Sequence, residues 1–323
     1  MTGGDAAPGT PGGHARPGTP GAGARPGTPG GHVWPSSERV SVIIPARDTA
    51  ATIGAQLEAL SRQTYDGWWE VIVVDNGSRD ATAAVARSWA RRIPRLRVID
   101  ASGPRCPGYA RNAGCGASRG ELLLFCDADD IVGTEWVAAL VKGLRNYPAV
   151  GGRIDRAGLN DPALLAWRPS RPADGLPGHF GFLPYAQGAN CAVRKEIWDQ
   201  LGGFDESLRH SEDVAFFWRV QLAGHELGYL PEAVVRYRYR ASIGATVRQS
   251  YGYGKSHAQL YKRFAAHGMP GQAIGEACRT WRALACQAPG ALRSRHALGA
   301  WLGRLARRLG RLAGSLRART FYP

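Results

Sequence analysis

Short apolar runs alternate with helix-spaced apolar positions through the first half of this chain. Val40 to Pro45 and Glu70 to Val74 are strand-like, as are the shorter Arg97 to Ile99 and the run Glu121 to Phe125. Ile53, Leu57 and Leu60 fall at helical spacing between the first two runs, and a second helical pattern spans Thr82 to Ala90. Strands alternating with helices require crossover connections, so the pattern predicts an α/β fold with a mostly parallel sheet and flanking helices. Parallel strands deliver the residues at their carboxyl ends to one edge, which is where open α/β sheets bind ligands.

The polar residues at those ends carry the chemistry. Leu122-Leu123-Leu124 runs into Phe125-Cys126-Asp127-Ala128-Asp129-Asp130. Three acids in four residues repel one another, and a hard divalent cation held among them relieves that repulsion. Read alone, the segment also fits a solvated acidic turn with Asp130 capping the helix before Trp136. Asp75-Asn76-Gly77-Ser78 ends the second strand, so Asp75, Asp127 and Asp129 should converge, and such a set suits a nucleoside diphosphate and its metal. No Walker pattern and no G-x-G-x-x-G follows any strand, which argues against a P-loop NTPase and a dinucleotide enzyme.

Six segments stand in the order of the family 2 glycosyltransferases: Val40 to Asp48, Val74 to Asp80, Ala110-Arg111-Asn112-Ala113-Gly114, Asp127-Ala128-Asp129-Asp130, Gly202-Gly203-Phe204-Asp205 and Ser211-Glu212-Asp213. The chain resembles that family from about Val40 to Arg240. The resemblance implies a Rossmann-like GT-A fold and inverting transfer of a sugar from a nucleoside-diphosphate donor, UDP- or dTDP-linked. It implies that Pro45, Ala46 and Asp75 line the nucleoside, with Asp48, Arg111, Asp127, Gly188 and Arg248 also on the donor. Asp127 and Asp129 match the metal motif, for Mn²⁺ or Mg²⁺. Asp213 matches the catalytic base, with Glu212 as second choice.

The acceptor half is less regular. Val150 to Ile154 and Gln187 to Val193 are strand-like, Lys195 to Leu201 and Ala215 to Leu222 helical, and Leu144 to Asp174 reads as loops. Gly188, placed within the second of those strands, would let a ligand approach the backbone. Ser211 can cap the helix after it, and Glu212 and Asp213 suit that helix's positive end, which keeps an acceptor-activating carboxylate ionised. Relatives carry a metal-binding His near Arg236. Here Arg236-Tyr237-Arg238-Tyr239-Arg240 stands instead, either an edge strand kept soluble by arginine or a neutraliser of the diphosphate. Arg248 to Lys255 resembles the loop and helix that close over the donor.

The 323 residues allow one large domain with appendages. Pro-Gly-Thr-Pro-Gly recurs from Pro8, Pro17 and Pro26, so residues 1–37 read as a disordered leader without the apolar core of a secretory signal. Residues 38–245 read as the catalytic domain and 246–323 as a helical, basic, amphipathic region. The six cysteines show neither a C-x-x-C pair nor disulfide-like spacing, which suggests a reduced, cytoplasmic protein. Without a partnered His, no catalytic thiol is expected.

The formal charge is +15, and Glu276 to Pro323 holds ten arginines and one acid, or +9 of it. Leu298, Trp301, Leu302, Leu305, Leu309, Leu312 and Leu316 share one helical face there, with arginines mostly on the other. Such a helix suits either an anionic bilayer, at the inner face of the plasma membrane, or packing on the catalytic domain. Nucleic acid is not expected as a partner, since no recognition motif accompanies the charge. The acceptor stays open, with a lipid-linked or cell-envelope glycan favoured. The rival readings are a nucleotidyltransferase, which would usually carry a Gly-rich basic loop after the first strand, and an inactive nucleotide-sugar-binding protein.

Overall fold

The computed structural model describes residues 1, 38–165, 175–178, 180–240 and 242–323. The leader expected over 1–37 lies outside them apart from Met1, as does part of the loop region before Asp174. The first half is built from β1 (Val40–Ala46), α1 (Ile53–Leu60), β2 (Trp69–Asp75), α2 (Thr82–Ser88), β3 (Leu96–Asp100), α3 (Pro107–Gly116), β4 (Leu122–Cys126), the two-residue β5 (Ile131–Val132) and α4 (Trp136–Leu144). The second half runs through β6 (Ala149–Asp155), α5 (Pro162–Leu165), β7 (Asn190–Arg194), α6 (Lys195–Leu201), α7 (Glu212–Leu222) and β8 (Leu227–Arg236). The helices α8 (Ile243–Phe264), α9 (Ile274–Cys286), α10 (Ala288–Ala291) and α11 (Arg295–Ala318) follow.

One sheet carries the molecule, in the order β3-β2-β1-β4-β7-β6-β8-β5. The pairs β3–β2, β2–β1 and β1–β4 are parallel, as the strand–helix alternation predicts. Beyond β4 the sheet is mixed, because β7 runs antiparallel between β4 and β6, and β5 runs antiparallel on β8. This is the arrangement of a GT-A fold with added C-terminal helices.

Residues alternate between the two faces of each strand, so the core has two layers. Val42, Val71, Val73, Leu122 and Leu124 meet Ile53, Leu57 and Leu60 of α1 and Trp136 to Leu144 of α4 on one side. Ile43, Ile72, Leu123 and Phe125 meet α3, α7 and α8 on the other, through Ala110, Phe216, Trp218 and Leu260.

Several expectations need correction. Gln187 to Ala189 is not strand; β7 begins at Asn190, and Gly188 sits in the turn before it. Ser211 makes no side-chain cap on α7 and instead adopts φ 62°, a left-handed turn into the helix. Asp130 does not cap the helix before Trp136, since its carboxylate accepts from Arg238 N at 2.8 Å. The residues after Arg236 leave the sheet, and β8 is an inner strand covered by β5. Arg248 to Lys255 is the interior of the 22-residue helix α8, with no loop. α3 has no strong apolar period; its start is marked by Pro107 in the first turn, where the missing N–H costs nothing.

Candidate active site

The strand ends open on a cleft of about 820 Å³. Pro45, Ala46, Asp48, Arg111, Asp127, Asp129, Gly188, Glu212, Asp213 and Arg248 all line it. Asp75 does not. It ends β2 opposite Ala46, but its carboxylate accepts from Ser78 N at 2.9 Å and so shapes the turn. Lys255 is also outside the lining; its ammonium lies over the Tyr251 ring.

Local bonds explain how the β1 and β2 loops hold their shape. Asp48 takes a left-handed φ of 50°, which Asp tolerates better than most residues. Its Oδ1 accepts from Arg79 N at 2.7 Å, while its own N–H donates to Ser78 Oγ at 3.1 Å. The acidic loop after β4 is pinned by the buried Gln56 of α1, which donates to Asp127 O at 3.1 Å and accepts from Val132 N at 3.0 Å.

Asp127, Asp129 and Asp130 each bring one carboxylate oxygen within 4.8 Å of the others. Asp130 is almost fully buried, its Oδ2 has no hydrogen-bond partner, and burial followed by the charges of Asp127 and Asp129 pushes its carboxyl up to about 9. Burial, then Asp127, also raises Asp129. Oxygen-only donors, mutual repulsion and an orphaned carboxylate oxygen are what a hard divalent cation fits. The three-acid reading of the segment included Asp130, whereas the metal motif implied by the resemblance stops at Asp127 and Asp129; with its cap role gone, Asp130 stands in the cluster. The Arg/Tyr segment closes over the cluster: Arg238 Nε donates to Asp129 O at 2.9 Å, and Arg240 pairs with the Asp129 carboxylate at 3.0 Å. Tyr237, Tyr239 and Arg240 line the cleft.

Arg111 of α3 ties this cluster to α7. It is buried, and its guanidinium donates to Asp127 Oδ1 at 2.9 Å and to Glu212 Oε1 at 2.5 Å. Burial works against its charge, but Asp127, Glu212 and Asp213 outweigh that and hold it protonated. One guanidinium cannot neutralise three carboxylates. Burial and then Asp213 therefore push Glu212 up to about 7, against the pull of Arg111. Burial likewise raises Asp213, opposed by the Gly188 N–H, Arg111 and the Val214 N–H, all of which favour the ionised form expected of it. Asp213 Oδ2 accepts from Gly188 N at 2.8 Å, and Oδ1 from Val214 N at 2.8 Å. Gly188 leaves room for the Arg111 fork: a Cβ there would stand 2.6 Å from Arg111 Nη2, which would have to shift.

Two further cleft residues come from the C-terminal helices. Tyr253 of α8 is pushed up to about 12 by burial and then by Asp213 and Glu212. Arg307 of α11 reaches the same cleft, its guanidinium over the Tyr253 ring at 5.9 Å. Tyr253 falls within the Arg248 to Lys255 segment that resembles a donor-closing element, whereas Arg307 has no local sequence signal and arrives through helix packing.

Comparison with known proteins agrees with this architecture. Residues 41–201 match the model of glycosyl transferase family 2. A glycosyltransferase of Haloferax volcanii, AglE, is 27% identical over 225 residues, covering 69% of this chain and 74% of that protein. The pre-mycofactocin glycosyltransferase of Mycobacterium tuberculosis is 26% identical over 294 residues; the match covers 84% of this chain but only 55% of that protein. Among solved structures, the mannosyltransferase PcManGT from Pyrobaculum calidifontis, in complex with GDP-Man and Mn²⁺, superposes with a TM-score of 0.59 at 22% identity, over 85% of this chain and 87% of that one. Motif order, sheet topology and these matches agree: the chain belongs to the family 2 glycosyltransferases.

Proposed function

We propose that this chain transfers a sugar, with inversion, from a UDP- or dTDP-linked donor to an acceptor hydroxyl on a lipid-linked or cell-envelope glycan. The observation that carries this reading is the carboxylate of Asp213, fixed by Gly188 N and Val214 N in the same cleft as Asp127 and Asp129. Two backbone donors set its orientation, and an ionised carboxylate still has lone pairs free to take the acceptor's proton. Glu212 is the weaker candidate, because it is more buried and already spends an oxygen on Arg111. Its role is to position Arg111, which in turn holds Asp127.

Asp127 and Asp129, with Asp130 beside them, would hold Mn²⁺ or Mg²⁺, whose Lewis acidity would stabilise the departing diphosphate. Pro45, Ala46 and Asp48 form the wall for the nucleoside. Arg240, Arg248 and Arg307 bring positive charge to the same cleft, where the diphosphate charge develops.

The test is nucleotide release from a panel of nucleotide sugars, with Mn²⁺ and a lipid extract as the acceptor source. Release from a UDP- or dTDP-sugar is expected, and Asp213→Asn should cut the rate by ~10²–10⁴ while donor binding persists. A variant within about twofold of wild type would remove Asp213 from its role.

A further inference from the structure

α11 packs on α8 in a way that the leucine pattern alone does not suggest. Its buried positions are small: Ala297, Gly299, Gly303, Ala306, Gly310, Gly314 and Ala318. A Cβ at Gly310 would stand 2.2 Å from Tyr251 O, and one at Gly314 would stand 2.6 Å from Lys255 O, so the two backbones are in close contact. Leu305, Leu312 and Leu316 each follow one of these glycines by two positions. At 3.6 residues per turn that is about 200°, which puts the leucines on the opposite face. Leu312 and Leu316 are accordingly 39% and 81% exposed, Leu309 one turn before Leu312 is 45% exposed, and Leu305 is half-buried. Leu292 just before the helix and Phe321 just after it are exposed too, at 79% and 64%. Packing on the catalytic domain and presenting leucines outward are therefore not alternatives in this molecule.

The arginines divide the same way. Arg307 turns into the cleft, Arg308 is half-buried, and Arg311 bonds His257 Nδ1 and Gln272 Oε1. Arg279, Arg282, Arg293, Arg295, Arg304, Arg317 and Arg319 remain exposed, with Glu276 the only acid from α9 to the C-terminus.

We infer that the outer face of α11, Leu309, Leu312 and Leu316 with the exposed arginines around them, docks on an anionic lipid bilayer. Leucines with nearby arginines suit the headgroup boundary, where the apolar side chains enter and the guanidinium groups reach lipid phosphates. Charge selects this occupant over a second copy, since two such faces would bring arginines together with almost no acid between them. Exposed leucines have no use against a nucleic-acid backbone. No described helix is long and apolar enough to cross a membrane, so attachment of this kind is peripheral. Docking is independent of the sugar-transfer reading, because it is measured without any substrate.

The experiment is co-sedimentation of the full chain with phosphatidylglycerol-rich and with pure phosphatidylcholine vesicles at low salt, alongside the Leu309→Gln/Leu312→Gln/Leu316→Gln variant. Wild type should pellet with the anionic vesicles and be released by salt. The triple variant should partition roughly tenfold more weakly or worse, and Leu316→Gln alone, at the most exposed of the three positions, should weaken partitioning without lowering Tm. A second variant, Arg304→Gln/Arg317→Gln/Arg319→Gln, should lose the preference for anionic lipid. Failure of wild type to pellet, or equal pelleting by the leucine variant, would overturn the inference. So would lipid-free dimerisation that the leucine substitutions abolish, which would make this face a contact between copies.

Discussion

Arg111 is the residue on which the cleft turns. It is buried, carries two carboxylates on one planar fork, and lies directly under Gly188. The Gly188→Ala substitution is therefore a sensitive probe. Elsewhere a long side chain would move aside for one methyl group. Here moving aside means giving up a buried ion pair, which is costly because the remaining charge cannot reach water. Transfer should fall by roughly tenfold or more, since small misplacements of catalytic groups carry penalties of that size. Activity close to wild type would show that Arg111 has room to shift. At this scale the sequence was informative where a strand or helix end carries the residue. Asp127, Asp129 and Asp213 sit in contiguous motifs, and the structure brings them to one cleft. Asp75 sits in such a motif too, yet its carboxylate serves its own turn. Arg307 reaches the cleft only because α11 packs back on α8, which spacing does not encode.

At the scale of elements, the contact between α8 and α11 places Arg307 in the cleft. Gly254 faces Arg307 O so closely that an added Cβ would stand 2.1 Å away. Gly→Ala within a helix usually gains about 1 kcal/mol of propensity. The clash here is with backbone, which cannot rotate away, and overpacking of this kind costs ~1–3 kcal/mol. The clash should win, so Gly254→Ala should lower Tm and weaken nucleotide affinity together as Arg307 is displaced. A rise in Tm would mean that the helices separate without strain. The alternating strands and helices of the first half were legible because each buries a regular apolar face. The α11 docking mode was not, because its glycines contact backbone and leave no apolar signature, while the conspicuous leucines face outward.

For the whole molecule, the carboxylate cluster makes stability depend on pH. Glu212 is raised from 4.5 to about 7, chiefly by burial, so the folded chain holds its proton more tightly than the unfolded one. Its stabilising contribution is present in full below the unfolded value and is lost as pH rises through about 7. Tm should therefore fall more steeply from about pH 5 to about pH 8 in wild type than in Glu212→Gln, which cannot ionise. Equal slopes would mean that Glu212 is already ionised across that range.

The proposed function requires that the acids of the cleft hold a divalent cation against a nucleoside diphosphate. Calorimetric titration of UDP and dTDP into the protein with Mn²⁺, with EDTA, and into Asp129→Ala tests that claim most directly. Saturable binding that needs the cation and disappears in the variant is the predicted result. Equal binding in EDTA, or no binding of either nucleotide with the cation present, would contradict it.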